Sequence, residues 1–269
     1  VTATPKLSVE ELHLSIEIQK QRFRARSLLG DPDFVKNPIA EIVDEKAIDK
    51  LASVIDRKKA APSMKFLSDA DRAAMAKAKG EKEQTTHYSL VDAQGNAVAI
   101  TTTLNGDYGS GLIEPETGIA LNNEMDDFTT KPGVPNMFGL IQGEANKVQA
   151  GARPLSSMSP TIVEKDGKTI LAIGSPGGPR IISAVFQVIY RILARDYDAD
   201  LAIQTSRVHH QFLPDVVKTD ALRFPPETLD GLKARGHVVE FGSTAKVYVV
   251  KRNGDGLLEG AADRRPARA

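Results

Sequence analysis

The sequence contains no cysteine and no tryptophan among its 269 residues, and it has no excess of charge of either sign. Without cysteine, the chain can form neither disulfides nor thiolate metal sites. Lys+Arg and Asp+Glu both number 35, and no basic run is interleaved with aromatic residues, so nucleic acid is not an expected partner. No apolar run approaches the roughly 20 residues that span a bilayer, and no membrane segment is predicted. The 41% hydrophobic content is typical of a globular chain with a substantial core.

The compartment stays open on composition. The first residues, Val1 to Lys6, lack the charged start and the apolar run of a signal peptide. A chain without cysteine suits the cytoplasm and the bacterial envelope equally well.

The first 84 residues have a helical and then a strongly charged pattern. Ser8 and Glu11 have the spacing of a capping box, and the apolar spacing predicts a helix from Ser8 to Leu29. A second helix is predicted over Glu45 to Ile55. From Arg57 to Gln84 large apolar residues are few, which indicates a solvent-exposed connector.

From Thr85 onward the pattern changes to the period of two that is typical of strands. Two runs, His87 to Val91 and Ala97 to Thr103, flank a turn-rich link and predict an antiparallel hairpin. Its register sets Thr85 opposite Thr103 and leaves Asn105 just beyond the strand end. Two hydroxyls and an amide are therefore expected to converge.

Thr85 is a candidate nucleophile. A threonine hydroxyl is activated when the residue becomes N-terminal, because its own α-amine then serves as the base, and this requires cleavage between Gln84 and Thr85. The alternative is that Thr85 and Thr86 simply begin a strand, where β-branched residues are common. Core packing accounts for Val98 and Ile100 of the hairpin but not for its three consecutive threonines.

Two groups of potential metal ligands occur later in the chain. The acidic stretch Asn122 to Phe128 contains Glu124 and Asp127, but it lacks the alternating acids and the mid-loop glycine of a calcium-binding EF-hand. The pair His209 and His210 lies in a strand pattern, where adjacent side chains point to opposite faces. We therefore predict structural hydrogen bonds for the histidines and no metal at either place.

A second hairpin is predicted from Thr161 to Lys165 and Lys168 to Ile173, because an Asp-Gly turn joins the two runs. If this ladder continues, it brings Ser156 and Ser157 opposite the segment around Gly177. The polar ends of the two strands would then meet.

Pro179 marks the first turn of a following helix, so Gly177 and Gly178 present amide groups at its positive end. The stretch lacks the residues of a phosphate-binding loop, and Ser175 lacks the glycine that a hydrolase nucleophile elbow requires. An oxyanion hole built from the glycine amides and a plain helix start remain the two interpretations.

Five short motifs carry a resemblance to a known family. They are Leu-Gly-Asp-Pro-Asp-Phe from Leu29, Thr-Thr-His-Tyr-Ser from Thr85, Leu-Asn-Asn-Glu-Met-Asp-Asp-Phe from Leu121, Arg-Pro-Leu-Ser-Ser-Met-Ser-Pro from Arg153 and Gly-Ser-Pro-Gly-Gly from Gly174. With these motifs the chain closely resembles the gamma-glutamyltransferase (gamma-glutamyltranspeptidase) family of N-terminal nucleophile hydrolases. The resemblance covers a whole small subunit, residues 85–269, and the C-terminal end of a large subunit with its connector, residues 1–84.

The resemblance implies an α+β fold, the four-layer αββα sandwich of N-terminal nucleophile hydrolases. The sandwich would be incomplete in this chain where strands of the large subunit are absent, which would leave sheet edges and apolar faces for that subunit to cover. The resemblance also implies a periplasmic or secreted protein, with the cytoplasm as the alternative.

The chemistry implied by the resemblance is acyl transfer after self-cleavage between Gln84 and Thr85. The Thr85 hydroxyl would attack a γ-glutamyl amide such as that of glutathione, and water or an acceptor amino acid or peptide would take the acyl group, with no cofactor. The implied roles are orientation of the nucleophile by Thr103, an oxyanion hole at Gly177 and Gly178, binding of the substrate α-amino and α-carboxylate groups by Asn105, Glu124 and Asp127, and carboxylate binding by Ser156 and Ser157.

Two other functions remain open. One is a truncated, catalytically inactive remnant that binds a partner through the surface a large subunit would cover. The other keeps the fold but acts on another amide, as cephalosporin and glutaryl acylases do. Asn105, Glu124 and Asp127 favour an α-amino acid substrate over such an acylase substrate.

Overall fold

A computed structural model of the chain describes residues 1–63, 83–131, 133–221 and 223–265, and these residues form an α+β protein. Most of the predicted connector lies outside the described residues. The helices within the described ranges are α1 (Val9–Arg26), α2 (Ile39–Val43), α3 (Glu45–Ser53), α4 (Arg180–Ala194), α5 (Ala199–Gln204) and α6 (Pro226–Ala234). The strands are β1 (Glu83–Val91), β2 (Ala97–Gly106), β3 (Thr161–Lys165), β4 (Lys168–Gly174), β5 (Val208–His209), β6 (Val217–Thr219), β7 (Val239–Phe241), β8 (Tyr248–Arg252) and β9 (Leu258–Ala262).

The described residues divide into two compact units. The first comprises residues 1–63, Glu124–Ser156 and Val208–Phe241, and the second comprises residues 83–123, Ser157–Arg207 and 242–265. This division follows spatial packing and does not test the predicted boundary between residues 84 and 85, which stays a prediction.

The second unit is built in layers. The β1–β2 hairpin packs against β4 and β8 of a four-stranded sheet with the order β3-β4-β8-β9. Successive residues of β4 point to opposite faces, so Leu171 and Ile173 pack with Val185 and Val188 of α4, while Gly174 faces the hairpin. Hairpin, sheet and helix thus form three successive layers.

The first hairpin pairs Thr85 with Thr103 as predicted, and its register shifts between Gln84 and Thr85. The prediction that Asn105 lies just beyond the strand end is wrong, because β2 continues to Gly106 and Asn105 pairs with Gln84 beyond this shift. Residues with odd numbers face inward, whereas residues with even numbers face outward. The prediction that Val98 and Ile100 belong to the core is wrong in the described structure, because they are 40% and 38% exposed on the outward face.

The second hairpin forms as predicted, but its register shifts between Val163 and Glu164. An extra residue on β4 causes this shift, and the ladder ends at the pair Thr161 and Ile173. The predicted pairing of Ser156 and Ser157 with the segment around Gly177 is therefore not part of the ladder.

The first unit is organised around α1. The hydroxyl of Ser8 accepts a hydrogen bond from the Glu11 amide at 3.1 Å, and the Glu11 carboxylate accepts one from the Leu7 amide, so the predicted cap is present with its second partner one residue earlier. The helix ends at Arg26, three residues before the predicted end at Leu29. Its apolar face packs on α6 and on the sheet β5-β6-β7 through a core of Leu12, Ile16, Val208, Val217, Phe224 and Leu232.

None of the helices in the described ranges combines the length and the apolar character needed to cross a bilayer.

Candidate active site

The end of the first hairpin brings two threonine hydroxyls together. Thr85 Oγ1 lies 3.0 Å from Thr103 Oγ1, and the Thr103 hydroxyl donates to the Gln84 carbonyl oxygen at 2.5 Å. The amide of Asn105 donates to the same Thr103 oxygen at 2.8 Å. A hydroxyl has one proton to donate. Because Thr103 donates its proton to Gln84, the proton between the two threonines belongs to Thr85.

Asn105 closes this end of the hairpin. Its φ of 72° lies in the left-handed region, which asparagine tolerates better than most side chains. The side-chain amide donates to the Asn123 carbonyl at 3.3 Å, and the Asn123 side chain accepts from the Gly106 amide at 2.8 Å. The buried Asn105 therefore occupies an irregular position of β2, beside the register shift, that its neighbours hold in place.

Gly177 and Gly178 form the predicted turn into α4. Their φ values are 141° and 54°, so a side chain at either position would strain the backbone. The Gly177 and Gly178 carbonyls accept from the amides of Arg180 and Ile181 at 3.2 and 3.0 Å, which opens the 15-residue helix. The glycine amides thus lie at the positive end of a helix, where a developing negative charge is stabilised.

Glu124 and Asp127 lie in one turn of 3-10 helix in the first unit, Glu124–Asp127. Burial, together with the charge and the hydrogen bond of Glu124, raises the pKa of Asp127 to about 8, and nearby Arg26 partly opposes this rise. Burial also raises the pKa of Glu124. Two neighbouring carboxyl groups in a partly buried site tend to share one proton near neutral pH.

Arg26, at the end of α1, connects the acidic turn (Glu124–Asp127) to residues 155–157, called the serine segment here. Its guanidinium donates to Gln142 Oε1 at 3.1 Å and to the carbonyls of Leu155 and Ser156 at 3.0 and 3.2 Å. Gln142 in turn donates to the Asp127 carbonyl at 2.8 Å. Burial lowers the pKa of Arg26 to about 10, and the Asp127 charge opposes this effect. Arg26 is not among the site residues predicted from the sequence.

The predicted site residues fall into both compact units. The second unit holds Gln84, Thr85, Thr103, Asn105, Ser157, Gly177 and Gly178, and the first unit holds Glu124, Asp127 and Ser156. Within the second unit, hydrogen bonds join Thr85, Thr103 and Asn105 directly.

The motifs beginning at Leu29 and Arg153 bond to each other. Arg153 donates to the carboxylate of Asp31 from its backbone amide at 2.7 Å and from its guanidinium at 3.0 and 2.8 Å. These bonds hold the pKa of Asp31 well below its ordinary value. Gly30 leaves no space for a side chain, because a Cβ there would lie 2.0 Å from the Ala145 carbonyl oxygen. These residues therefore support the architecture of the first unit.

A separate cluster in the first unit contains ligand-type side chains. His13, Glu17 and His237 each have a possible ligand atom, and these atoms lie within 4.8 Å of one another. The two histidines bond directly through Nδ1 and Nε2 at 2.8 Å, and Lys20 Nζ bonds Glu17 Oε1 at 2.9 Å. Direct hydrogen bonds and an ion pair therefore account for the cluster without an ion.

The histidine pair behaves as predicted. His209 Nε2 lies 2.9 Å from Gln211 Oε1, and His210 Nε2 lies 3.1 Å from Asp215 Oδ1. The Phe212 amide donates to the other ring nitrogen of His210 at 3.1 Å. The prediction of structural hydrogen bonds for both residues is confirmed.

A cavity of about 640 Å³ lies in the first unit, between the last turns of α1 and the segments around α2 and α3. No predicted site residue lines it. Gln142 lines this cavity and also donates to the Asp127 carbonyl, so one residue of the cavity wall holds the backbone of the acidic turn.

A family model and curated relatives show which family the chain is similar to. The family model described as Gamma-glutamyltranspeptidase matches residues 2–269. The chain is 46% identical over 265 residues to the glutathione hydrolase proenzyme of Escherichia coli K12, a match that covers 96% of this chain and 44% of that protein. It is 42% identical over 236 residues to the glutathione hydrolase proenzyme of Pseudomonas aeruginosa, covering 87% of this chain and 41% of the relative. The chain thus spans less than half the length of these curated relatives.

Solved structures show the same similarity. A mutant of the Helicobacter pylori gamma-glutamyltranspeptidase matches with a TM-score of 0.64 and 42% identity, over 67% of this chain and 100% of that chain. The gamma-glutamyltranspeptidase of Pseudomonas nitroreducens, complexed with L-DON, matches with a TM-score of 0.64 and 42% identity, over 68% of this chain and 97% of that chain.

Proposed function

Because the chain belongs to the gamma-glutamyltranspeptidase family, we propose that it carries the catalytic part of a γ-glutamyl hydrolase or transferase whose nucleophile is Thr85. Its α+β fold is that of the solved N-terminal nucleophile hydrolases of this family. The observation that carries the proposal is the hydrogen-bonded series from Thr85 Oγ1 through Thr103 Oγ1 to the Gln84 carbonyl oxygen. Activity, substrate and partners are all part of the proposal, because the chain spans less than half of its curated relatives.

The first step of the proposed function is self-cleavage before Thr85. Thr103 accepts the hydroxyl proton of Thr85 and donates its own toward the Gln84 carbonyl, which favours attack on that carbonyl and polarises it. The Thr85 oxygen forms a bond to the carbonyl carbon, the peptide C–N bond breaks, and the nitrogen gains the proton. Water then splits the ester and leaves Gln84 as a free carboxylate. The relatives' names include the word proenzyme, which supports a processed precursor.

In the second step the new α-amine of Thr85 acts as the base. Its reference pKa of about 8 permits a free amine near neutral pH, and this amine takes the hydroxyl proton as the oxygen attacks a γ-glutamyl amide. The amides of Gly177 and Gly178 stabilise the negative charge that develops on the carbonyl oxygen. The leaving amine takes the proton, and water or an acceptor amine then releases the glutamyl group from Thr85.

The α-amino acid end of the substrate is assigned to the acidic turn and the serine segment. An ammonium group that leaves water needs negative charge to offset its desolvation, and the partly buried carboxyl groups of Glu124 and Asp127 supply that charge when they are ionised. Asn105, Ser156 and Ser157 are assigned to the same end of the substrate by family resemblance, with the serines at the carboxylate.

The large subunit of the same family is the proposed partner, with residues 1–84 as its C-terminal end and residues 85–269 as the small subunit. The outward face of the first hairpin supports this assignment, because Tyr88, Leu90, Val98 and Ile100 are all exposed there. A contiguous apolar sheet face that is exposed to solvent commonly marks a surface that binds another protein. We assign the protein to the periplasm or the exterior of the cell, as the family resemblance implies, with the cytoplasm as the alternative.

The same exposed face favours the second candidate function, that of an inactive remnant which binds a partner. Release of p-nitroaniline from γ-glutamyl-p-nitroanilide separates the two, with the chain assayed alone and together with a large subunit of the family. The proposed function predicts release in at least one of these assays, and Thr85→Ala should abolish it. No release in either assay, from folded protein, would leave the remnant function in its place.

A further inference from the structure

His87 lies two residues after Thr85 on the inward face of β1, and it is 5% exposed. Its ring Nδ1 lies 2.8 Å from Thr101 Oγ1, and its Nε2 lies 2.9 Å from Ser89 Oγ. Burial lowers the pKa of His87, which favours the neutral ring that two hydroxyl partners can satisfy. The hairpin alone therefore satisfies both nitrogens and fixes the orientation of the ring.

The ring faces Gly174, the last residue of β4. A Cβ at Gly174 would lie 2.2 Å from the His87 Cε1 atom, 2.4 Å from Nδ1 and 2.7 Å from Nε2. Atoms cannot approach so closely, so the ring occupies the space that any side chain at Gly174 would need. Glycine is required here for space, and only glycine allows the hairpin to approach β4 this closely.

Both partners of this contact are adjacent to the proposed chemistry. His87 lies about 7 Å along β1 from Thr85, at the rise expected of a strand. Gly174 precedes Gly177 by three residues and begins the turn that ends at α4. A nucleophile and an oxyanion hole must address the same carbonyl group, and a displacement of about 1 Å can cost about a hundredfold in rate.

From this geometry we propose that His87 is a positioning residue, whose ring rests on Gly174 and sets the distance between the nucleophile strand and the oxyanion turn. This inference rests on the proposed function. Both ring nitrogens of His87 form hydrogen bonds within the hairpin, so the contact with Gly174 is steric. Changes in side-chain volume at His87 and at Gly174 should therefore have non-additive effects.

Two readouts separate positioning from general stability. Self-cleavage before Thr85 uses groups of the first hairpin, whereas turnover also uses the turn that follows Gly174. Displacement of the turn should therefore slow turnover and leave self-cleavage intact, while a loss of folding would slow both.

The experiment compares Gly174→Ala, His87→Ala and the double variant with a matched control, Gly260→Ala. Gly260 lies in β9 of the same sheet and has open space for a Cβ. All are assayed for self-cleavage by intact mass, and for kcat and KM on γ-glutamyl-p-nitroanilide together with a large subunit of the family. We expect Gly174→Ala to lower kcat about a hundredfold with KM within about twofold, and the double variant to regain at least about tenfold. Gly260→Ala should match the unsubstituted protein.

Additive losses in the double variant, or equal losses of self-cleavage and turnover in Gly174→Ala, would overturn the positioning role. If Gly174→Ala does not fold, chemical unfolding of His87→Ala and the double variant decides the steric contact, since removal of the ring should restore folding. A double variant that remains unfolded while His87→Ala folds would overturn the proposal. An unsubstituted protein without self-cleavage or turnover would instead overturn the proposed function, and the positioning role with it.

Discussion

The Thr85 end of the first hairpin, which holds the proposed nucleophile, and the acidic turn of the first unit depend on different physical properties. Thr85 and Thr103 do not ionise near neutral pH, and their arrangement follows from strand register and three short hydrogen bonds around one oxygen. Glu124 and Asp127 are ionisable, and burial decides their state. The hairpin end therefore depends on the positions of its hydroxyl groups, whereas the acidic turn depends on the charge state of its carboxyl groups. Substitutions should accordingly act on rate at the hairpin and on affinity at the turn.

The largest effect is expected at Thr85. Thr85→Ala removes the only hydroxyl that can attack the Gln84 carbonyl in the proposed mechanism, so self-cleavage and turnover should both be abolished. Thr85→Ser keeps a hydroxyl and should retain slow versions of both. Intact mass and p-nitroaniline release provide the measurements. Thr86→Ala is the matched control, because Thr86 is exposed on the outward face of the same strand and should tolerate the change. Full activity in Thr85→Ala would remove this residue from the mechanism.

The next effect concerns the acids. Glu124→Gln and Asp127→Asn should each raise KM for γ-glutamyl substrates about tenfold to a hundredfold, because in the proposed function each would remove one charge-assisted bond worth about 1.5–3 kcal/mol. Self-cleavage should continue in both variants. Glu144→Gln is a suitable control, since this exposed acid lies in the same unit. Unchanged KM values would assign the acidic turn a structural role only.

The pH dependence of affinity sharpens the same contrast. In the proposed function the substrate ammonium requires ionised carboxyl groups, and the pKa of Asp127 is raised to about 8 in the folded chain. KM should therefore be high in mild acid and fall as the pH rises through this range, and Asp127→Asn should flatten the profile. The raised pKa of Asp127 also affects stability, but in the opposite direction with pH. Its contribution to the free energy of unfolding is fully present below pH 3.8, the ordinary pKa of the group, and is lost as the pH rises through about 8. A KM that is independent of pH in the unsubstituted protein would contradict the shared proton.

A smaller effect is expected at Arg26. Arg26→Met leaves the carbonyls of Leu155 and Ser156 without this donor, which should lower the free energy of unfolding by about 1–3 kcal/mol and raise KM by several-fold. Chemical unfolding and steady-state kinetics measure the two effects. Arg24→Met is the control, since Arg24 is exposed in the same helical turn. Equal stability of the two variants would show that Arg26 does not support the serine segment.

The hairpin end could be predicted from sequence because its determinants are local. A turn-rich link and a period of two set Thr85 opposite Thr103, and the observed pairing is the same. The outward exposure of Val98 and Ile100 could not be predicted, because an apolar strand residue has the same pattern whether a partner covers it or not. The register shift between Val163 and Glu164 also has no recognisable signal in the sequence. It moves the β3–β4 ladder out of the register that predicts a partner for Ser156.

The acidic turn illustrates what sequence reasoning missed. Family resemblance pointed to Glu124 and Asp127, but their raised pKa values arise from burial among segments that are distant in the chain. Arg24 and Arg26 look equivalent in the sequence, and only the folded structure reveals the bonds from Arg26 to Gln142 and to the Ser156 carbonyl. The contact between His87 and Gly174 joins residues 87 positions apart, and only the folded chain brings them together.

The central claim is that the Thr85 hydroxyl attacks the Gln84 carbonyl, and intact mass spectrometry tests it without any substrate. Cleavage before Thr85 divides the 269 residues into 84 and 185, so the 29.0 kDa chain should yield pieces of about 9 and about 20 kDa. The larger piece should begin Thr-Thr-His, and incubation at neutral pH should increase its amount in the unsubstituted protein but not in Thr85→Ala. A folded sample that remains a single 29.0 kDa species, alone and with a large subunit of the family, would contradict the claim.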